Sequence, residues 1–295
     1  MTKTAFIAIV GRPNVGKSTL LNSIVGEKVA IVSKKPQTTR NRITGILTEG
    51  ENQFVFLDTP GIHKPRTKLG DFMVKTTSRT LGGVGSAILV VEAREEVGDI
   101  ESGLITRLKS EGMNAILVIN KIDTVRAENV AKTIAAYAAA FDFDAVIPIS
   151  AKSGKGVDEV LKECERYLTE SDWYFPDDIA TDQPEKQVAS EIIREKLLRM
   201  LDEEIPHGTA VTIEEWRERG DVVSIRAEIY CEKASHKGII IGKGGSLIKK
   251  IGTYARQDIE EILGTRVFLD LYVRVKENWR DNDFNVTEFG YKSEQ

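Results

Sequence analysis

Gly11-Arg12-Pro13-Asn14-Val15-Gly16-Lys17-Ser18 follows an apolar run over residues 5–10 and precedes a stretch of helical period that begins with Thr19. Strand, glycine-rich loop and helix in that order make a phosphate-binding loop. The glycines leave no Cβ between backbone and ligand, so successive N–H groups point at phosphate oxygens while the helix N-terminus adds its positive end. Lys17 then reaches the β and γ oxygens, and Ser18 ligates Mg2+. The stretch from Gly11 to Thr19 is therefore a candidate site for a nucleoside triphosphate.

Outward from this loop, residues 4–168 alternate apolar runs with segments of helical period, the pattern of βα units on a largely parallel sheet. Strands are expected at 5–10, 43–48, 54–58, 86–92, 115–120 and 145–149, and a helix at 157–169. Ala87-Ile-Leu-Val-Val91 and Ile116-Leu-Val-Ile119 are apolar at every position, which places them in the sheet centre, covered on both faces. The expected first fold is thus a doubly wound, mostly parallel α/β sheet.

At 295 residues the chain is comfortable for two domains. The expected division is a nucleotide-binding domain over 1–170, a linker over 171–184, a smaller α+β domain over 185–280 and a polar, loosely ordered tail over 281–295. Two prolines and four aspartates mark the linker. Its Trp173-Tyr174-Phe175 run is expected to dock against a neighbouring domain, since large rings are usually buried. The second part reads as a helix at 185–201 with Val188, Ile192, Ile193, Leu197, Leu198 and Leu201 on one face, then strands at 209–216 and 222–230 joined by Arg219-Gly220-Asp221. A short helix, a glycine turn, a helix at 246–263 and a strand at 267–275 complete it.

The 41 Lys+Arg against 45 Asp+Glu give a net charge of −4, so any polyanion site must be local rather than spread over the surface. Cys164 and Cys231 stand far apart without a Cys-x-x-Cys or a His cluster, which argues against a disulfide framework or zinc and suits a reduced, cytoplasmic setting. No cationic, apolar leader and no apolar run near the ~20 residues of a membrane span is read in the sequence.

Two further motifs fall at expected strand ends, Asp58-Thr59-Pro60-Gly61 and Asn120-Lys121-Ile122-Asp123, where parallel sheets bind ligands. Guanine presents two N–H donors on its Watson–Crick edge, and the Asp123 carboxylate can accept both. Adenine would set a ring lone pair against it, and a buried unpaired group costs ~1–3 kcal/mol, more when charged. Asn120 is expected to serve the Hoogsteen side and the Lys121 stem to cover the ring face. Ser150-Ala151-Lys152 would add the Ala151 N–H near the guanine oxygen.

A second anion site is read at Ile239-Ile-Ile241-Gly242-Lys243-Gly244-Gly245. Gly-x-x-Gly alone is a cheap signal, matched also by Gly82-Gly-Val-Gly85, but from Lys233 to Arg256 the ionic residues are Lys233, Lys237, Lys243, Lys249, Lys250 and Arg256, with no acidic residue before Arg256. On an acidic chain this is a local polyanion site. About two of the three isoleucines are expected in the core, because consecutive helical positions cannot all face one ligand.

With the glycine loop, Pro36-Gln37-Thr38-Thr39-Arg40, Asp58-Thr-Pro-Gly61, Asn120-Lys-Ile-Asp123 and Ser150-Ala-Lys152, the chain resembles the Era family of ribosome-assembly GTPases. The resemblance implies a P-loop GTPase domain joined to a type II KH domain, and Mg2+-dependent hydrolysis of GTP to GDP. Lys17, Thr39 and Gly61 would be catalytic. Ser18 and a switch threonine, Thr38 or more readily Thr39, would hold Mg2+, with Asp58 acting through a water and Gly61 offering its N–H to the γ-phosphate. Lys237, Ile241, Gly242, Lys243, Gly244, Gly245, Lys249 and Lys250 would bind single-stranded RNA, expected to be the 3′ end of small-subunit ribosomal RNA. Peripheral membrane contact belongs to the same expectation.

Ras-like enzymes orient the attacking water with a Gln after the switch glycine, where this chain has Ile62, so slow basal turnover is expected. Some relatives use K+ held partly by the loop asparagine, here Asn14. Arg40, Arg42 and Arg66 are read as solvated switch arginines and His63 as an exposed loop residue. A non-enzymatic RNA-binding module and a P-loop ATPase or nucleotide kinase are the competing readings.

Overall fold

The computed structural model describes residues 1–62 and 65–292, so His63 lies outside the described residues, as does the end of the expected tail. The chain divides into two compact units, the first made of Met1–Val32, Thr39–Pro65 and Met73–Asp182, the second of Ser33–Thr38, Arg66–Phe72 and Gln183–Gln295.

The first unit is built on β1 (Lys3–Val10), α1 (Lys17–Val25), β2 (Ile43–Glu49), β3 (Asn52–Asp58), α2 (Lys68–Gly82), β4 (Ser86–Glu92), α3 (Asp99–Ser110), β5 (Asn114–Asn120), α4 (Ala127–Ala140), β6 (Ala145–Pro148), α5 (Val157–Cys164) and β7 (Thr169–Glu170). Of α2, residues 73–82 belong to this unit. The sheet order is β2-β3-β1-β4-β5-β6, with β7 against β1. β2 and β7 run antiparallel to their neighbours and the other pairings are parallel. β1 lies between β3, with Ile9 opposite Asp58, and β4, with Val10 opposite Leu89. The chain leaving β1 therefore enters the crevice where strand order reverses, at the carboxyl ends of the strands.

Alternate residues of the central strands feed two cores on opposite faces. Ile7, Ile9, Ile88, Val90, Ile116 and Val118 pack with α1 and α5, while Ala8, Val10, Leu89, Val91, Leu117 and Ile119 pack with α3 and α4. The all-apolar strands are central because both their faces are covered. The expected helix at 157–169 instead ends at Cys164. A 3-10 turn, Glu165–Tyr167, follows it, and β7 then pairs with Lys3 and Thr4.

The stretch read as the linker is packed onto the first unit through residue 182. Gln53, fully buried, accepts the N–H groups of Tyr174 and Phe175 at 2.9 and 3.1 Å and donates to the Phe175 carbonyl at 2.9 Å. Tyr174 meets Phe6 edge-on at 4.9 Å, and the Trp173 indole donates to the Glu51 carbonyl. The aromatic run thus docks on the unit it leaves. The docking is made mostly by backbone groups and one buried amide rather than by burial of the rings, Tyr174 remaining 65% exposed.

The second unit contains α6 (Glu185–Met200), β8 (Ala210–Arg219), β9 (Val222–Cys231), α7 (Ala234–Ile241), α8 (Ser246–Leu263), β10 (Arg266–Val275) and α9 (Asp283–Glu288). β9 is central, antiparallel to β8 and parallel to β10. Ile192, Ile193, Leu197, Ile225, Ile229, Ile251, Ile259 and Val273 share its core.

Two features depart from the expected amphipathic helix and loose tail. Residues Ile192 to Leu198 of α6 are all buried, Arg194, Glu195 and Lys196 among them. These charges are paired: Glu195 with Lys196 at 3.2 Å and with Arg199 at 2.9 Å, Lys196 also with Asp258, and Arg194 with Glu191. Within the same unit Arg194 donates to the Thr38 carbonyl and Lys35 to the Leu201 carbonyl. The tail folds as far as Tyr291. Fully buried Trp279 donates to the Gly208 carbonyl at 2.9 Å and packs against Phe289 and Tyr291, and Asn282 caps α9.

Candidate functional site

Gly11 and Gly16 hold φ angles of 149° and 100°, and a Cβ on Gly16 would stand 2.2 Å from the Asn120 amide nitrogen. The loop is therefore wound tightly against the end of β5 and needs glycine there. Lys17 is buried, and its ammonium donates to the carbonyls of Gly11 at 3.2 Å and Arg12 at 3.0 Å. Burial pushes it down to about 8, a shift that the Asp58 charge opposes. Asp58 is pushed up to about 6 by burial, against Lys17 and the Ser18 and Thr39 hydroxyls.

Ser18, Thr39 and Asp58 converge from α1, the segment before β2, and the end of β3. The Ser18 hydroxyl lies 2.8 Å from that of Thr39 and donates to Asp58 Oδ2 at 2.6 Å, with Thr39 Oγ1 3.5 Å from the same oxygen. Asp58 Oδ1 is buried without a hydrogen-bond partner. Two hydroxyls and an anionic carboxylate with a spare lone pair, beside a phosphate loop, form the hard oxygen set that suits Mg2+ shared with phosphate and water. Of the two adjacent threonines, it is Thr39 whose hydroxyl enters this cluster. The neighbouring Thr38 hydroxyl is engaged with Ser33 at 2.9 Å and the Lys35 carbonyl at 2.7 Å.

Several residues of the expected nucleotide site also brace the fold. Thr59 turns its N–H and hydroxyl to the Ile9 carbonyl at 3.3 and 2.9 Å, and the Pro60 carbonyl accepts from Thr77 at 3.0 Å. Gly61 abuts the loop, where a Cβ would lie 2.6 Å from Pro13 Cα. The Asn120 amide donates to the Val15 carbonyl at 2.8 Å and accepts from the N–H groups of Lys121 and Ala151 at 2.8 and 2.9 Å. It ties three loops together, so Ala151 spends its N–H on Asn120 in this structure. The Lys121 ammonium donates to the Asn14 carbonyl at 2.6 Å and pairs with Glu92. Arg40 is 1% exposed, not solvated, while Arg42 is half-buried and Arg66 exposed.

Asp123 stands exposed on the 3-10 turn Ile122–Thr124. The Ser150 hydroxyl, its own backbone N–H, and the charges of Lys152 and Lys121 hold its carboxyl below the usual range. It is the ionised, outward acceptor that a paired N–H edge requires.

In the second unit, α7 ends at Ile241, Gly242 and Gly244 hold φ of 73° and 59°, and Gly245 at 79° caps α8. Lys237, Lys243, Gly244, Lys249 and Lys250 are exposed, and Ile241, Gly242 and Gly245 are half-buried. Of the three isoleucines only Ile240 is fully buried, Ile239 being 49% exposed. Arg256 is held by both oxygens of Glu260 at 2.8 Å, which leaves the lysines as the free cations of this face among the described residues.

Comparison with known proteins gives two family matches, one described as a 50S ribosome-binding GTPase over residues 6–121 and one as a KH domain over residues 204–280. A GTPase Era of Clostridium kluyveri is 51% identical over 293 residues, 99% of this chain and 100% of that protein. A GTPase Era of Ruminiclostridium cellulolyticum is 48% identical over 292 residues, 99% and 98% of the two chains. The chain belongs to the Era family of GTPases. A crystal structure of Era in complex with MgGDPNP and nucleotides 1506–1542 of 16S ribosomal RNA superposes with a TM-score of 0.94 at 39% identity, covering 99% of each chain.

Sequence reasoning missed residues of this chain that act through the motifs rather than within them. Glu92 is the counter-ion of Lys121, and Gln53 anchors the stretch leaving the sheet. Their only sequence signal is a polar residue at the end or edge of an apolar strand. Asp123→Asn is expected to weaken GTP binding about tenfold to a hundredfold, about 1.5–3 kcal/mol for a charged hydrogen-bonded pair, and to shift preference toward xanthosine triphosphate, whose base exchanges a donor for an acceptor. Competition titration with both nucleotides checks it, and unchanged GTP preference would remove Asp123 from base recognition.

Proposed function

We propose that the first unit binds GTP with Mg2+, hydrolyses it slowly to GDP, and thereby governs how the KH unit holds single-stranded RNA at the 3′ end of small-subunit ribosomal RNA during subunit maturation in the cytoplasm. The observation that carries the reading is the convergence of Ser18, Thr39 and Asp58 within 2.6–3.5 Å, beside buried Lys17.

The loop N–H groups from Asn14 to Thr19 cradle the phosphates, and Lys17 turns from the Gly11 and Arg12 carbonyls to the β and γ oxygens. Ser18 and Thr39 hold Mg2+ directly and Asp58 holds it through a water. When bound, the ion neutralises charge on the β- and γ-phosphates. Water attacks the γ-phosphorus, the bond to the β–γ bridging oxygen breaks, and GDP and phosphate form. Gly61 offers its N–H to the γ-phosphate. Ile62 has no side-chain hydrogen bond for the water, so turnover rests on electrostatics and positioning, with Asn14 helping to hold K+. Asn120, Lys121, Asp123, Ser150, Ala151 and Lys152 form the guanine end.

At the second site the turn from Gly242 to Gly245 brings backbone close to an RNA strand, Lys237, Lys243, Lys249 and Lys250 meet phosphates, and Ile241 lines the base groove. The Era structure with MgGDPNP and 16S RNA supports this choice of ligands. By the same family reading, membrane contact is peripheral. Among the described residues no helix is long and apolar enough to cross a membrane. Loss of the γ-phosphate releases Thr39. Thr38, next in chain, is bonded to Arg194 of α6, which supports a route from the nucleotide to the KH unit.

Single-turnover phosphate release with Mg2+, with and without K+ and RNA, tests the enzyme. Release accelerated by K+ is the expected result, and none under any condition overturns it. Replacing Lys249 and Lys250 together with alanine should weaken RNA binding and reduce the slope of log affinity against log salt by about one to two, as each lost phosphate contact removes somewhat less than one unit. A salt titration with an unchanged slope removes both lysines from the interface.

A further inference from the structure

The Arg12 side chain of the phosphate loop reaches a helix that bears none of the nucleotide motifs. Its Nε pairs with Oε1 of Glu101, in the first turn of α3. The Glu101 side chain is 1% exposed and that of Arg12 20%. Neither Glu101 oxygen has a hydrogen-bond partner beyond this ion pair. Gly98, just before α3, permits the approach, since a Cβ there would stand 2.7 Å from Glu101 Oε2. The phenol of Tyr137, 2% exposed on α4, is pushed up by burial and next by the Glu101 charge, while Arg12 and Arg94 oppose the shift.

A carboxylate this deeply buried is tolerated because a cation is held against it, and removing one partner leaves the other uncompensated. The pair also has a direction. Arg12 is turned into the fold, so its guanidinium is not a phosphate ligand, and its peptide carbonyl accepts from the Lys17 ammonium at 3.0 Å. Fixing the side chain fixes the carbonyl from which Lys17 must turn toward a phosphate. Lys17 otherwise bonds only to the Gly11 carbonyl, which sits on the same loop.

We propose that Glu101 is a positioning residue for the phosphate loop, acting through Arg12 on the placement of Lys17, so that α3 sets nucleotide residence time without touching the nucleotide. This rests on the first unit binding guanine nucleotide. Helix α3 thereby becomes a second handle on the site, and a partner pressing on its N-terminal turn would change nucleotide exchange.

The test is stopped-flow release of fluorescent N-methylanthraniloyl-GDP from the full chain with Mg2+, for the natural protein, Glu101→Gln, Glu101→Asp, Arg12→Ala and the Arg12→Ala/Glu101→Gln pair, with the melting temperature of each. Glu101→Gln keeps the volume and loses the charge, and it is expected to speed release at least tenfold at a temperature well below its melting transition. The double variant should release GDP no faster than Arg12→Ala alone, and Glu101→Asp should restore part of the lost residence time. A purely structural pair would lower the melting temperature of Glu101→Gln and leave release within twofold of the natural protein, which overturns the proposal. Should Glu101→Gln fail to fold, Arg12→Ala decides in the same way, fast release supporting the proposal and natural release rejecting it. If the natural protein itself binds no fluorescent GDP, it is the underlying nucleotide reading that fails.

Discussion

Lys17→Ala is expected to lower affinity for GTP and GDP by about a hundredfold to ten thousandfold and to abolish most of the rise in melting temperature that Mg2+ and GDP give the natural protein. Two charge-assisted hydrogen bonds to phosphate are lost, each worth about 1.5–3 kcal/mol. The surroundings sharpen the effect. Without nucleotide, burial pushes the Lys17 ammonium down to about 8 and the Asp58 carboxylate up to about 6, so near pH 7 both stay charged, but by a narrower margin than in water. Beside the charge that Lys17 and Asp58 give each other, a bound polyphosphate would add a second anion for Lys17 and Mg2+ a second cation for Asp58. In the variant the phosphates meet only backbone N–H groups, and Asp58 loses its counter-charge as well. Thermal melting at a fixed GDP concentration, with fluorescent nucleotide titration, measures both effects. At a hundredfold excess over the natural Kd the natural protein gains about 2.7 kcal/mol, and the variant should gain at most about 0.4 kcal/mol. Affinity within tenfold of the natural value would remove Lys17 from phosphate binding.

Gly242→Asp is expected to abolish RNA binding, by at least about a hundredfold, while leaving GTP hydrolysis without RNA unchanged. Gly242 holds φ 73° and ψ 172°, a region open almost only to glycine, where another residue costs about 1–3 kcal/mol. Its Cβ would come within 2.8 Å of Leu247 Cβ and 3.0 Å of the Leu247 nitrogen, so the first turn of α8 must move. The new carboxylate adds repulsion where an RNA phosphate passes. Gly244→Asp separates the two causes, because a Cβ at Gly244 meets nothing within 4 Å. It should lose RNA mainly through charge, with a melting temperature lowered only modestly by the left-handed φ of 59°, which aspartate tolerates better than most residues. Electrophoretic mobility shifts at fixed salt read both variants, and RNA binding retained by both would move the RNA site away from this turn.

The parts of the fold that were legible in the sequence are those where one local rule suffices. Fully apolar runs marked β4 and β5, glycine chemistry marked the phosphate loop and the Gly242 turn, and hairpin-turn residues marked the join of β8 and β9 at Gly220. The parts that were not legible depend on contacts between distant residues. Nothing local says that Thr59 spends both its donors on Ile9, that Asn120 holds Val15 and Ala151, or that Glu101 meets Arg12. The buried polar side of α6 read as a solvent face because charges are usually exposed, yet Glu195 and Lys196 are buried in paired form. The tail read as loose because its aromatic residues are spread among polar ones, although Trp279, Phe289 and Tyr291 assemble a small core of their own.

The central claim is that the nucleotide held by the first unit sets the RNA affinity of the second. Calorimetric titration of a 16S 3′-end oligoribonucleotide into the full chain, loaded with Mg2+ and GDPNP or with Mg2+ and GDP, tests it most directly. Tighter binding in the GDPNP form is expected, by about fivefold to a hundredfold, a coupling of about 1–3 kcal/mol. Identical dissociation constants in the two forms would contradict it.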